Sequence, residues 1–363
     1  MVHRVSEANR LLSIHAVYDN ENATATLLTC ENVEMHLSLW QSNGEEEGIV
    51  IEIQRRKGDS IAFHRYSRCI LDAGAGELDI QAHVEKNGDD IDAVFSKQVQ
   101  RLMTLETPKD AKPEAENAII AIEIAHGLIM KDRIDARQLG LESLCLLTDP
   151  KKTGLTTALI AARVVLLGSA QDIDPNAAPE EALLVDETPF KEIRQALLSL
   201  IQFRRIGESD EFSEDGESTE ESEHITVLHN LALAVLANAL DVISDDDNLE
   251  SSNHPEDSVR ARCDTSESIS EQFLEDSLHS CDNREIMKTL ISELGKAGAK
   301  PHNACLSAKC IGSLCRASDK ARKRAKELGA KNVVQTALEV GTRTHLKLER
   351  ECSKVINSLT NTE

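Results

Sequence analysis

The sequence predicts an α+β unit at the N-terminus, an antiparallel sheet of about four strands plus one helix, followed by an all-α array of helices. Three observations predict it. From Leu12 to Ile53 apolar and polar residues alternate with a period of two. After Lys86-Asn87-Gly88 the apolar spacing becomes helical and stays so. Aromatic residues make up only 2% of the chain, with Ala and Leu in their place, which suits close-packed helices.

The strands follow in order. Leu12, Ile14, Ala16 and Tyr18 alternate with Ser13, His15 and Val17, and Asp19-Asn20-Glu21-Asn22 makes the turn. Thr24, Thr26 and Leu28 continue the second strand. Val33, Met35, Leu37 and Leu39 alternate with Glu34, His36 and Ser38 in the third. Ser42-Asn43-Gly44 opens a hairpin, and Ile49, Ile51 and Ile53 return. Gly58-Asp59-Ser60 ends the sheet, and Asp59 or Ser60 is placed to cap a helix carrying Ile61, Phe63, Tyr66, Cys69 and Ile70 near one face.

Helices are then expected at Ile91–Leu105, stopped by Pro108 and Pro113, and at 114–131, 135–147, 156–167, 190–206 and 226–243, with 284–359 helical throughout. The domain reading is a small α/β unit over 1–85, helical repeats over 86–206, a helix over 224–243 and further repeats over 284–363. Two acidic, low-complexity stretches, 207–223 and 244–283, interrupt it. They hold too few apolar anchors to offset chain entropy and are expected to be largely disordered, with one weak helix around Ile269, Phe273, Leu274 and Leu278.

The formal charge of −23 opposes binding to phosphate backbones and to anionic lipid, and scarce aromatics argue against base stacking. Nine Cys, an odd number set in apolar stretches such as Leu144-Cys145-Leu146, read as reduced core residues. Met1 to Arg10 has no signal-like apolar run, and no stretch approaches a ~20-residue membrane span. The expected compartment is the cytoplasm, with the nucleus as the alternative.

Residues 304–359 resemble the armadillo repeat. Ala308, Ile311 and Leu314 match the end of one third helix, and Ser318-Asp319-Lys320-Ala321-Arg322 the polar turn into a short first helix. Glu327-Leu328-Gly329-Ala330 matches the family's Gly-Ala corner. Val333, Val334, Ala337 and Leu338 fit the second helix, and Glu351, Cys352, Val355, Ile356 and Leu359 the third. Weaker echoes lie at Asp135–Leu144 and Val227–Leu240. The resemblance implies an armadillo-like superhelical solenoid over the C-terminal two-thirds, with HEAT repeats as the nearest alternative. It makes Gly329 and Ala330 structural corner residues, since glycine admits left-handed backbone and alanine lets the next helix come close. It also implies protein partners. The family's asparagine ladder has only Asn230 and Asn238 to draw on.

Residues 33–71 resemble a kinase-associated-1 type domain, through Trp40, Gly58, Asp59 and Phe63. That resemblance implies intramolecular regulation or contact with anionic lipid.

Candidate chemistry is sparse. Arg55, Arg56, Lys57, His64, Arg65 and Arg68 form a basic cluster that reads first as a solvated strand end and helix face, and alternatively as a docking site for phosphoserine, an acidic peptide or a lipid headgroup. Lys320 to Lys326 reads as the exposed face of a short helix, with a nuclear localisation signal as the alternative. Cys305, Cys310 and Cys315 with His302 lack the close pairing of zinc ligands. Ser218 and Ser244, each with an acidic residue three positions on, are phosphorylation candidates. His126 reads as a core or groove histidine. No Gly-rich phosphate loop or nucleophile elbow occurs, so no catalytic residue, cofactor or metal is assigned. The expected function is a non-catalytic interaction scaffold with protein partners. A lipid- or phosphopeptide-responsive adaptor is the runner-up, and an enzyme of unrecognised type the third class.

Overall fold

The computed structural model describes residues 1–41, 48–87, 111–170, 186–202, 220–249, 269–276 and 285–360. The chain divides into two compact units. One comprises Met1–Leu105, Leu294–Cys305 and Asn332–Lys354, the other Glu106–Glu293, Leu306–Lys331 and Val355–Glu363. The coarse layout expected from the sequence is present: a four-stranded antiparallel sheet with helix, then helices only among the described residues. The grouping is not the expected one. A boundary at residue 85 would leave the C-terminal helices apart from the sheet, whereas two C-terminal segments belong to the same unit as the sheet.

In that first unit, helix α1 (Val2–Leu11) precedes the meander β1 (His15–Asp19), β2 (Thr24–Leu28), β3 (Glu34–Gln41) and β4 (Ile49–Lys57), paired in sequence order. Period-two patterning explains the sheet. Met35 and Leu37 on β3 and Ala25 and Leu27 on β2 are buried, and Trp40 is exposed, its indole Nε1 donating to Glu52 Oε2 at 3.0 Å. The expected first strand begins later than its pattern. Leu12 to Ile14 form the turn out of α1, with Ser13 at φ +57°, although Leu12 and Ile14 are both buried. Helix α1 was not expected; Val5, Ala8 and Leu11 face the core from it.

Helix α2 (Ser60–Ala75) is capped by Asp59, whose side chain accepts from the Ala62 N–H at 2.7 Å. Its buried face is Ala62, Tyr66, Ile70 and Ala73; Ile61, expected on that face, points to solvent, and Phe63 and Cys69 are half-buried. The spacing of four from Ala62 to Tyr66 to Ile70 sets that stripe, which leaves Ile61 beside it. Helix α3 (Ile80–Asn87) closes the core with Ile80 and Val84.

The second unit contains α4 (Ala111–Ile129), α5 (Ile134–Leu147), the single turn α6 (Pro150–Thr153), α7 (Leu155–Leu167), α8 (Thr188–Gln202), α9 (Glu220–Leu249) and α10 (269–276). Helix α7 is buried nearly all round, through Ala158, Ala161, Ala162, Val164, Val165 and Leu166. Then follow α11 (Ile286–Leu294), α12 (Pro301–Ala317), α13 (Asp319–Glu327), α14 (Ala330–Thr344) and α15 (Leu346–Thr360), whose residues the two units share.

Helix α9 runs past both ends expected of it, so Glu220–Glu223 and Ser244–Leu249 are helical rather than loop. The helix expected around Ile269 exists as α10, with Ile269 and Phe273 buried. The remainder of the two acidic stretches, and the helix expected over 91–105, lie outside the described residues. Among the described residues one helical stretch, His224–Ser244 of α9, is long and apolar enough to cross a membrane, contrary to the expectation that no stretch approaches that length; half of its most apolar window is buried inside the protein.

Candidate functional site

The basic cluster lies where β4 runs into α2. Arg55 Nη1 donates to the Gly58 carbonyl at 2.7 Å. Arg65 Nη2 pairs with Glu31 Oε2 at 3.0 Å, and Arg68 Nε approaches Asp72 Oδ2 at 3.6 Å. Arg56, Lys57 and His64 are exposed, the His64 ring standing 5.2 Å from that of Phe63. Arg55, Arg65 and Arg68 are therefore engaged locally, which lowers what the cluster offers an anion.

The short basic helix α13 is engaged as well. Ser318 caps it, accepting from the Ala321 N–H at 3.2 Å. Lys320 pairs with Glu271 and Glu275. Arg322 donates to the Cys315 carbonyl at 3.2 and 3.0 Å and pairs with Asp319. Arg324 grips Glu285 with two bonds of 2.6 and 2.7 Å and also meets Glu327. Ala321 and Ala325 form the buried side. At the end of this helix Gly329 has φ +72°, and Ala330 is fully buried. A Cβ at Gly329 would meet nothing within 4 Å. The glycine thus serves backbone conformation alone, not the close approach of another helix.

Of the phosphorylation candidates, Ser218 lies outside the described residues. Ser244 is inside α9 rather than in a loop, 8% exposed. Its hydroxyl donates to the Asp241 carbonyl at 3.0 Å and accepts from Arg316 at 3.1 Å. Asp241 in turn pairs with Lys309 at 2.9 Å and Arg316 at 3.2 Å. His126 is hydrogen-bonded to Glu192 at 2.7 Å on the surface of its unit. Asn230 lies on α9, and Asn238 Nδ2 donates to the Cys145 carbonyl at 3.4 Å.

One cluster carried no sequence signal as a set. In the first unit His302, at the start of α12, and His345, the residue before α15, lie with ring centroids 4.9 Å apart, and His15 of β1 stands edge-on to His302 at 6.4 Å. Backbone partners fix the tautomers. The Leu348 N–H donates to His345 Nδ1 at 3.2 Å, so the ring proton of His345 is on Nε2. That Nε2–H donates to His302 Nδ1 at 2.9 Å, and His302 Nε2–H donates to the Leu28 carbonyl at 2.9 Å. Burial drives both rings toward the neutral form, His302 to about 4 and His345 to about 2, with His15 and the Lys347 ammonium adding repulsion. Since His345 Nε2 carries the proton, the two facing nitrogens do not both offer lone pairs to a metal. Among the described residues no group of three His, Cys, Asp or Glu is placed to hold one.

The described cysteines are free. Burial pushes Cys310, Cys315 and Cys352 up to about 12 and Cys145 up to about 11, and Cys305 is raised too. Such thiols are inert at neutral pH. Cys30 is exposed, with Lys347 Nζ 4.0 Å and the Tyr66 hydroxyl 3.8 Å from its sulfur.

No protein family model, curated protein or solved structure matches the chain.

Proposed function

We propose that this chain is a non-catalytic scaffold that binds other proteins through an armadillo-type helical array in its C-terminal part. One observation carries the reading. Gly329, at φ +72°, stands between the nine-residue basic helix α13 and two helices of fifteen residues each, α14 and α15. A short helix, a left-handed glycine corner and two longer helices, in that chain order, is what an armadillo unit requires. Stacked units of this kind present an extended surface to partners. Exposed apolar side chains supply a first place to look for that surface: Ile120 and Ile124, one turn apart on α4, and Leu139 and Leu146, two turns apart on α5, are 53%, 62%, 53% and 53% exposed.

The test is affinity capture by the full chain, beside a variant with Ile120, Ile124, Leu139 and Leu146 all changed to Ser. The scaffold reading expects defined proteins retained by the wild type and lost by the variant, with unchanged circular dichroism. An intact chain that retains nothing above a tag-only control sinks it. The runner-up, an anion-responsive adaptor, rests on the exposure of Arg56 and Lys57 at the end of β4. Pelleting with phosphatidylserine vesicles separates the two, and the scaffold reading expects the chain to stay in the supernatant.

A further inference from the structure

We infer that His302 and His345 form an acid-released latch, which holds the first turns of α12 and α15 against the end of β2. The relay is saturated by neutral rings. It runs from the Leu348 N–H to His345, from His345 to His302, and from His302 to the Leu28 carbonyl, with every ring nitrogen either donating or accepting. One added proton has no place in it. On His302 Nδ1 it would face the Nε2–H of His345, donor against donor. If His345 moved its own proton to Nδ1, that proton would face the Leu348 N–H instead. A protonated His345 would also set a cation at the N-terminus of α15, where the helix dipole opposes it. The groups facing the pair reinforce this: His15 from β1 and Lys347 from the first turn of α15 are both basic.

The latch joins parts of the chain that no local signal connects. Beside it the Lys347 N–H donates to Ser13 Oγ at 2.9 Å, and Arg10 reaches Glu349 at 3.3 Å. Releasing the two rings frees α12 and α15 from three partners in the N-terminal segment: the Leu28 carbonyl, the Ser13 hydroxyl and Arg10. In the open form both rings meet water and titrate near about 6.5. Below that pH each opening takes up two protons. The open fraction therefore rises about a hundredfold per pH unit as pH falls from about 6 to about 4.5.

Native-state hydrogen exchange on the full chain tests this, with each amide expressed as protection against its unstructured rate at the same pH. The Leu348 amide is expected to lose protection about a hundredfold per pH unit over that range, a slope of two protons. The Leu236 amide, at a buried position of α9, is the reference and is expected to change far less. In His302→Gln, which does not titrate, the Leu348 slope should fall to one proton. The latch is overturned if Leu348 and Leu236 lose protection in parallel, or if His302→Gln leaves the slope at two. Should that variant not fold, the comparison of the two wild-type amides decides alone.

Discussion

Gly341 of α14 and Glu349 of α15 cross so closely that a Cβ on the glycine would lie 2.6 Å from the Glu349 backbone nitrogen. Both residues belong to the first unit. The obstacle is backbone, which does not swing aside as a side chain does. Gly341→Ala should therefore destabilise the protein by ~1–3 kcal/mol, the usual cost of overpacking, although alanine is the better helix former. Gly127, inside α4, is the opposite case, since a Cβ there meets nothing within 4 Å. Gly127→Ala should stabilise by ~0.5–1 kcal/mol through helix propensity and a less flexible unfolded chain. Urea unfolding of both variants checks the pair, and shifts of the same sign would contradict the α14–α15 crossing.

Gly329 gives a finer test, because its surroundings are empty and only its φ of +72° is at stake. A Val at this position should cost more than ~1 kcal/mol from left-handed strain. Asn tolerates the same region, so Gly329→Asn should recover most of the loss. If Val and Asn lowered the melting temperature equally, the corner would be limited by space rather than backbone, and the geometry described for it would be wrong.

The sequence carried the features that depend on near neighbours. Alternation through Met35, Leu37 and Leu39 marked a strand, Asp59 marked a helix start, and Gly329 a helix end, because each is decided within a few residues. Helix α1 was hidden because Arg4, Glu7 and Arg10 interrupt its apolar positions, leaving only Val5, Ala8 and Leu11 to signal a face. Asp245-Asp246-Asp247 reads locally as loop, yet the buried Val242, Ile243 and Ser244 carry α9 into that run. The histidine relay was beyond local reading altogether. His302 is 274 residues from Leu28, and a backbone carbonyl as partner leaves no pattern in side-chain types.

Ser244 should resist phosphorylation in the folded chain. A kinase needs its substrate serine extended, and this one is helical, 8% exposed and bonded to both Asp241 and Arg316. An acid-directed kinase is expected to leave Ser244 unmodified in the native protein and to modify it after denaturation. Phosphopeptide mapping of the two samples reads this directly, and stoichiometric native phosphate at Ser244 would show that α9 opens at its end.

The adjoining carboxylate should matter more than its serine neighbour. Asp241 accepts from Lys309 at 2.9 Å and from Arg316 at 3.2 Å, and its side chain is 30% exposed. Asp241→Asn keeps the shape and removes the charge, leaving two cations side by side. Solvent screens part of that loss, so the expected cost is ~1–2 kcal/mol, between the exposed and the buried limits for ion pairs. The loss should shrink when Lys309→Met is added, since one of the two cations that Asp241 neutralises is then gone. A double-mutant cycle by urea unfolding measures it, and strict additivity would mean that the pair is not coupled.

Thiol reactivity separates the cysteines by burial. A thiolate is the reactive species, and burial holds Cys310, Cys315 and Cys352 near about 12, so at pH 7.5, an ordinary labelling pH, about one in 10⁴ or fewer of these groups is ionised. Cys30 is exposed in the turn between β2 and β3. Brief treatment of the native chain with iodoacetamide should therefore label Cys30 and spare Cys305, Cys310, Cys315 and Cys352, all of which should label in denaturant. Raising the labelling pH by one unit should speed each buried thiol at most about tenfold, since the thiolate fraction rises tenfold while access is unchanged. Peptide mapping by mass spectrometry follows every site at once. Labelling of Cys352 at the rate of Cys30 in the native protein would mean that α15 does not stay packed, and would count against the burial assigned to that helix.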